Sequence, residues 1–284
     1  MQLGRLWPRN ADDSALDRAL LKIGRVPGYC NICGNLTIFW LNNANFRESV
    51  YCINCRSVNR QRQIAAVLLS QVLGTRNRVP HFSSVKDIPA DTVIWNAEST
   101  RALHKKLGQR LGDSYIASEY ISPGLDSGEI RDDVLHVDIQ ATHFADNSID
   151  YILTSDVMEH VPSPLEAMKE TYRILKPDGC HIFTVPFYQH RFSNETRALV
   201  NNRGELEHLY KPWFHEDPIR SEGVLVYTVF APELLGQLEA CGFDATLHIL
   251  HSTVHGILGA NGIVVVAKKA QQPVCQSDWV FGSG

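Results

Sequence analysis

From residue 92 onward, short apolar runs alternate with amphipathic stretches, and that alternation leaves the chain few folds to choose from. The runs "TVIWNAE" (92–98), "SYIASEY" (114–120), "DVLHVDI" (133–139), "IDYILTS" (149–155) and "CHIFTVPF" (180–187) have the length and apolar character of buried strands. Between them, "TRALHKKLGQRL" (100–111) and "SPLEAMKETYRILKPDG" (163–179) carry apolar side chains at helical spacing, the second stopped by Pro177 and Gly179. A helix over 231–243 and strands over 244–250 and 262–269 complete the series. Repeated strand–helix–strand units predict an α/β fold: a doubly wound, mostly parallel sheet of seven strands with helices on both faces. The last two strands are joined without a helix, so they are expected as an antiparallel hairpin at one edge.

Ligands of such sheets sit beyond the carboxyl ends of the strands. That rule selects Asn96–Thr100, Glu119 and Tyr120, Asp138 and Ile139, and Ser155 and Asp156. A carboxylate ending the second strand, Glu119, suits the two hydroxyls of a ribose, as in dinucleotide folds. Asp138, ending the third, suits the amine of an adenine ring. Each acid alone is more simply a solvated loop residue; four consecutive strand ends with polar groups argue for a shared site.

Ahead of this body stand two C-x-x-C pairs, Cys30/Cys33 in "YCNICGN" and Cys52/Cys55 in "VYCINCRS", with 18 residues between them. That spacing is the one expected of a four-cysteine zinc site. Gly34 permits the tight turn after the first pair, and "LTIFWLNNANFRESVYC" reads as a hairpin turning at "NNAN". The module is a zinc ribbon. Four sulfurs complete a tetrahedral ion and leave no position for water, so Zn²⁺ bound here is structural. The remaining Cys180, Cys241 and Cys275 are scattered and the total is odd, which fits a reduced, cytoplasmic setting better than a disulfide scaffold.

Residues 1–80 carry 11 Lys/Arg against 4 Asp/Glu, and the remainder 16 against 27. A basic module on an acidic body meets nucleic acid, another anion, or the body itself. In "RSVNRQRQIAAVLLSQVL" an apolar stripe of Ile64, Ala65, Val67, Leu68 and Val72 predicts a helix, with Arg56, Arg60 and Arg62 at its start. Cations there oppose the helix dipole, so they answer to something anionic, the acidic body being the simpler partner. No apolar run reaches the roughly 18 residues of a membrane span, and the N-terminus lacks the apolar core of a secretory signal. The expected organisation is a helical segment over 1–28, the ribbon and its helix over 29–73, a linker over 74–90, the main domain over 91–270 and a flexible tail over 271–284.

The block "HVDIQATHFADNSIDYILTSDVMEHVPSPLEAMKETYRILKPDGCHIFTVPF" (136–187) resembles the class I S-adenosylmethionine-dependent methyltransferases of the type 11 group. The matching pieces are "VDI", "FADNSIDYILTSDVMEHV", "YRILKPDG" and "HIFTVP", and residues 92–268 follow that family's order of elements. The resemblance implies a Rossmann-like sheet and S-adenosylmethionine as cofactor. It implies that Asp138 and Ile139 flank the adenine, that Glu119 holds the ribose, and that Ser155 and Asp156 line the methionine side. One departure stands out: where the family has a glycine-rich loop, this chain has "NAESTRAL". The sulfonium cofactor has no pyrophosphate, so bare backbone is less needed than in dinucleotide sites. Asn96, Ala97, Glu98 and Ser99 remain cofactor candidates, with Glu98 directed to the methionine ammonium. The ribbon is similar to the zinc modules of certain ribosomal RNA methyltransferases.

Residues 188–230 are too long for a plain connection, and long insertions beside a strand's carboxyl end usually cover the site. They hold His190, His208 and His215 with Tyr188, Tyr210, Trp213 and Phe214, and "EHLYKPWFHEDP" resembles a segment of methyltransferases from bacterial glycan and secondary-metabolite clusters. Aromatic faces and imidazoles suit a polar, ring-bearing acceptor methylated on oxygen. A hydroxyl acceptor must lose a proton, and His is a fitting base. His215 and His208 lead, followed by His160, for which a structural contact beneath the cofactor is the simpler role. No H-x-H or paired Asp pattern supports a metal for the acceptor, and His248, His251 and His255 do not share one strand face. Two other readings stand beside a small-molecule or glycan methyltransferase. One is an RNA methyltransferase gripping nucleic acid through the basic ribbon, and the other is a non-catalytic, partner-binding scaffold with a degenerate cofactor loop.

Overall fold

The computed structural model describes residues 15–43, 45–75, 80–215, 223–259 and 262–270. The expected tail over 271–284, residues 1–14 of the expected helical segment, and 216–222 of the insertion lie outside the described residues.

Helix α1 (Ala15–Ile23) leads into a three-stranded antiparallel sheet of β1 (Arg25–Cys30), β2 (Asn35–Leu41) and β3 (Val50–Cys52). Arg25–Cys30 was expected inside or beside a helical segment and is instead the first ribbon strand. The expected hairpin between the cysteine pairs is present as β2 and β3, with Phe39 opposite Cys52, but a short helix α2 (Phe46–Ser49) is inserted in its connection. Helix α3 (Asn59–Val72) follows as expected. The stretch read as a linker is ordered over 80–90: Ser84 caps a turn of 3₁₀ helix, the Val85 N–H donates to the Asn31 carbonyl, and Val85 and Ile88 are buried.

The main sheet is built from β4 (Ile94–Asn96), helix α4 (Arg101–Leu111), β5 (Tyr115–Ala117), a small hairpin of β6 (Ile130–Arg131) and β7 (Val134–Leu135), β8 (Ile149–Ser155), helix α5 (Pro164–Ile174) and β9 (Leu175–Thr184). The insertion contributes β10 (Glu195–Thr196), β11 (Ala198–Val200), β12 (Leu206–His208), β13 (Phe214–His215), β14 (Val224–Leu225) and β15 (Thr228–Val229), in three two-stranded pieces. Helix α6 (Glu233–Ala240), β16 (Phe243–Ile249) and β17 (Ile263–Lys269) finish the chain. The strand order is β16-β17-β9-β8-β4-β5, parallel from β5 to β9, with the expected antiparallel hairpin at the edge. The seventh strand is reduced to a parallel bridge between Glu119 and His136. The cause is local: Asp132 and Asp133 both take positive φ and close the β6–β7 hairpin, so residues 130–135 pair with themselves.

Successive residues of the central strands feed two different cores, as a period of two requires. Leu153, Ile182, Val264 and Val266 pack with Ile64, Leu68, Leu69, Leu103 and Leu107, so α3 and α4 cover one face. Ile152, Phe183 and Val265 pack with Met168, Ile174, Leu234 and Leu238, so α5 and α6 cover the other. Helix α3 is therefore shared, its apolar stripe lying in one core with Cys30, Phe39 and Cys52 of the ribbon. Each fully buried Leu or Ile of that stripe contributes roughly 1.5–3 kcal/mol relative to exposure. Helix α5 starts at Ser163, whose hydroxyl accepts from the Glu166 N–H, with Pro164 in its first turn. It ends at Ile174 rather than near 177, because Pro177 removes an N–H and crowds the carbonyl four residues back. The carbonyls of Arg173 and Ile174 are taken by the N–H groups of Asn147 and Ser148.

The ribbon is fastened to the body by Arg62, which is fully buried. Its guanidinium donates to the carbonyls of His255 (2.9 Å), Ser57 (2.6 Å), Val50 (2.6 Å) and Gly256 (2.9 Å) and lies 4.5 Å over the Phe39 ring. Gly256 has φ 60, and a Cβ there would meet the Phe39 ring at 2.5 Å, so only glycine lets the 250–259 loop close on the ribbon.

Candidate active site

The polar strand ends converge as the topology demands. Val137 N–H donates to the Glu119 carbonyl and Glu119 N–H to the Leu135 carbonyl, which pairs Glu119 with His136 and places Asp138 two residues further along the neighbouring segment. The Glu119 carboxylate accepts from the Ser99 N–H (2.7 Å) and hydroxyl (2.9 Å), tying the first loop to the second. The Asp138 carboxylate accepts from the Gln140 N–H at 2.8 Å, and the Asp138 N–H donates to the Ser127 hydroxyl oxygen at 2.9 Å. Tyr120 is exposed and Ile139 is buried in the core beneath the rim. In the loop after β4, Asn96 is buried and its amide donates to the Tyr115 hydroxyl at 2.9 Å and the Glu98 carbonyl at 3.1 Å. Ala97 N–H donates to Leu153. The left-handed conformation a glycine-rich loop would supply is taken by Arg101, with φ 65.

The far end of the rim meets the N-terminal module. Arg60 and Arg47 both pair with Asp156, Arg60 also contacts the Ser155 hydroxyl, and Glu48 accepts from Arg60 at 2.7 Å. Gln61 donates to Glu98 at 3.3 Å. Of the helix-start arginines, Arg60 thus answers to the acidic body while Arg62 meets backbone carbonyls, and Arg47 and Glu48, which sequence reasoning passed over as hairpin residues, join the site. Burial alone would raise the Asp156 carboxyl; Arg47 and Arg60 overcome it and hold the group well below the usual carboxylate range. Burial pushes Glu98 up to about 7, with Arg60 and Arg101 pulling against it.

Beyond Asp156 the chain enters a short turn that carries Glu159 and His160. His160 Nδ1 lies 2.8 Å from the Leu225 carbonyl, so that nitrogen carries the proton and Nε2 offers a lone pair. Nε2 is 3.2 Å from His215 Nδ1, and the two rings are perpendicular. Glu159 Oε1 is 3.8 Å from His160 Nε2 and 3.7 Å from His215 Nδ1. Burial, then the Asp156 charge, drives the Glu159 carboxyl well above its usual range, and burial lowers His215 to about 4. The structure brings two of the three histidine candidates together and adds Glu159, which sequence reasoning missed; an acid inside the apolar string "VMEHV" was the available signal. His208 is exposed on β12 and takes no part in this cluster, and His190 is exposed as well.

At the ribbon, the ligand atoms of Cys30, Cys33, Cys52 and Cys55 lie within 4.8 Å of one another, with Cys30–Cys55 at 3.7 Å and Cys33–Cys52 at 3.9 Å. Tetrahedral Zn–S bonds require sulfurs about 3.8 Å apart, so the four thiols fit the ion. Thr37 and Ser57 hydroxyls lie 3.3 Å from Cys52 and 3.5 Å from Cys30, as thiolate partners should.

Residues 103–183 match a family model described as a methyltransferase domain. No curated protein sequence matches the chain. Among solved structures, an S-adenosylmethionine-dependent methyltransferase from Mesorhizobium loti is similar at 13% identity, covering 63% of this chain and 93% of that one with TM-score 0.40. One from Methanosarcina mazei shows 17% identity, 65% and 95% coverage and TM-score 0.36. One from Aquifex aeolicus shows 15% identity, 64% and 83% coverage and TM-score 0.35. Among the described residues no helix is long and apolar enough to cross a membrane. Residues 103–183, running from α4 through β9 of a mostly parallel Rossmann-like sheet, thus carry a methyltransferase domain.

Proposed function

We propose that the enzyme transfers the methyl group to a hydroxyl oxygen of a small molecule or glycan. The observation that carries this is the neighbourhood of the cofactor rim and an imidazole pair. Asp156 ends the rim, and His160 and His215 follow at once on the insertion side. In this reading Glu119 binds the ribose, Asp138 the adenine amine and Glu98 the methionine ammonium, with Asn96, Ala97, Ser99, Tyr120, Ile139 and Ser155 completing the wall. The cofactor supplies an activated methyl carbon; the chain's work is to align an acceptor oxygen with it and take up its proton. Zn²⁺ in the four-cysteine ribbon is structural and holds α2 so that Arg47 and Glu48 reach the rim. His208, exposed on its own hairpin, is set aside as a base in favour of His215 and His160.

Of the three arginines an RNA grip would use, Arg62 is committed to carbonyls and Arg60 to Asp156 and Glu48, while Arg56 is exposed, which weighs against the nucleic-acid reading. The test is incubation of zinc-loaded protein with methyl-labelled cofactor and fractions of hydroxylated small molecules, glycans and RNA. Label in an ether-forming product from the first two classes is expected. Label only in RNA would overturn the acceptor assignment.

A further inference from the structure

Glu159 poses a problem that its protein neighbours do not solve. Its side chain is 1% exposed, and among the described residues neither carboxylate oxygen has a hydrogen-bond partner. An ionised carboxylate is not kept buried without compensation. A proton alone does not repair this, because a neutral carboxyl is a donor and no acceptor among the described residues stands within hydrogen-bond reach. Facing it are two imidazole nitrogens, one of them with its lone pair fixed inward by the His160 Nδ1 contact to Leu225.

The triangle of Glu159 Oε1, His160 Nε2 and His215 Nδ1 has sides of 3.2, 3.7 and 3.8 Å, and a point equidistant from its corners lies about 2.1 Å from each, the length of a Zn–N or Zn–O bond. The three ligand atoms come from two elements that are separately pinned. Glu159 and His160 sit in the turn after β8, where Tyr227 N–H donates to the Glu159 carbonyl. His215 is held by pairing with Val224 across β13–β14. Gly223, with φ 78, lets the return strand pass against the His215 carbonyl, where a Cβ would collide. From these observations we infer that Glu159, His160 and His215 form a second metal site, separate from the ribbon, which takes a divalent transition ion of the Zn²⁺ or Mn²⁺ kind.

Two imidazoles and one carboxylate favour such an ion over Mg²⁺ or Ca²⁺. Three protein ligands leave a coordination position open, which is the pattern of catalytic rather than structural sites. This deepens the proposed function and rests on it for one part only: the open position receives the acceptor hydroxyl. With the ion bound, His160 and His215 would act on the acceptor proton through the metal and not as direct bases: a hydroxyl held there would lose its proton to solvent more readily. The acceptor oxygen then forms a bond to the methyl carbon as the sulfur–methyl bond breaks, and the sulfur keeps the electron pair. The Leu225 carbonyl fixes the His160 tautomer, the usual task of a partner behind a ligand.

The experiment uses the full chain with zinc in its ribbon, dialysed against a weak chelator. It is titrated calorimetrically with ZnCl₂ and with MnCl₂, metal content is counted by mass spectrometry, and S-adenosylhomocysteine binding is measured on the same samples. Wild type should take up one equivalent beyond the ribbon ion. Glu159→Gln, which keeps the shape of the side chain, and His215→Ala should each weaken that second equivalent about 100-fold, while the ribbon ion stays and reports a folded chain. Cobalt in the second site should show visible bands without thiolate charge transfer. Uptake of the ribbon equivalent alone, with both ions, overturns the proposal, as does a second equivalent held unchanged in both variants. Failure of S-adenosylhomocysteine to bind while the second ion does would sink the methyltransferase reading and leave the metal site standing.

Discussion

Replacing Arg62 with methionine should separate the ribbon from the body, and the structure sets the size of the effect. The side chain is fully buried, and its guanidinium satisfies the carbonyls of Val50, Ser57, His255 and Gly256. Burial pulls it down to about 10, so it is charged at neutral pH. Methionine fills a similar volume and takes this donor from four carbonyls, of which that of Ser57 keeps the Cys52 N–H. Each such orphan costs about 1–3 kcal/mol. Removal of a buried cation returns some desolvation energy, so the sum settles near the lower end, about 3–5 kcal/mol. Lysine, with three donors on a flexible stem and no planar fork, should recover only part of this. The assay is urea unfolding of zinc-loaded protein, followed by tryptophan fluorescence and by zinc release to a chromophoric chelator. In Arg62→Met, zinc release should move to lower denaturant and precede loss of the sheet. A variant within 1 kcal/mol of wild type, with zinc release still coincident with unfolding, would refute the claim that Arg62 is a main fastening between the two parts.

Other outcomes follow from the same contacts. Glu98 has a folded-state pKa raised to about 7 from an ordinary value near 4.5, so the folded protein binds more protons between those values and loses stability as pH rises through them. Glu98→Gln should therefore be more stable than wild type above pH 7, by up to about 3 kcal/mol, and nearly equal to it below pH 4.5. Thermal melts across that range would read this, and parallel curves for the two proteins would contradict it. Chelation of the ribbon ion should expose the amides of residues 30–57 to hydrogen exchange while β8, β9 and β17 stay protected; an unchanged ribbon after complete zinc removal would contradict a structural metal. His208→Ala should leave kcat near wild type while His215→Ala lowers it more than tenfold; the reverse order would reinstate the exposed histidine.

Much of this architecture could be read from the chain because periodicity survives folding. Ile152 and Leu153, or Val264 and Val265, point into opposite cores as alternation requires. The cysteine spacing likewise translates directly into sulfur positions. What escaped reading was decided by tertiary competition. The stretch over 133–139 has strand character, yet paired left-handed aspartates turn it back on itself. Arg60 and Arg62 are neighbours with one charge and one helix, but one finds carboxylates and the other backbone carbonyls. Glu159 looked like any helix-flanking acid because nothing local records that His215, 56 positions later, returns to face it.

The most direct test of the account is calorimetric titration of zinc-loaded protein with S-adenosylhomocysteine, wild type against Asp138→Ala. One site per chain is expected, weakened in the variant by about 1–3 kcal/mol through a lost buried hydrogen bond. No binding to folded wild type at millimolar ligand, or equal affinity in the two proteins, would contradict the placement of a nucleoside along this rim.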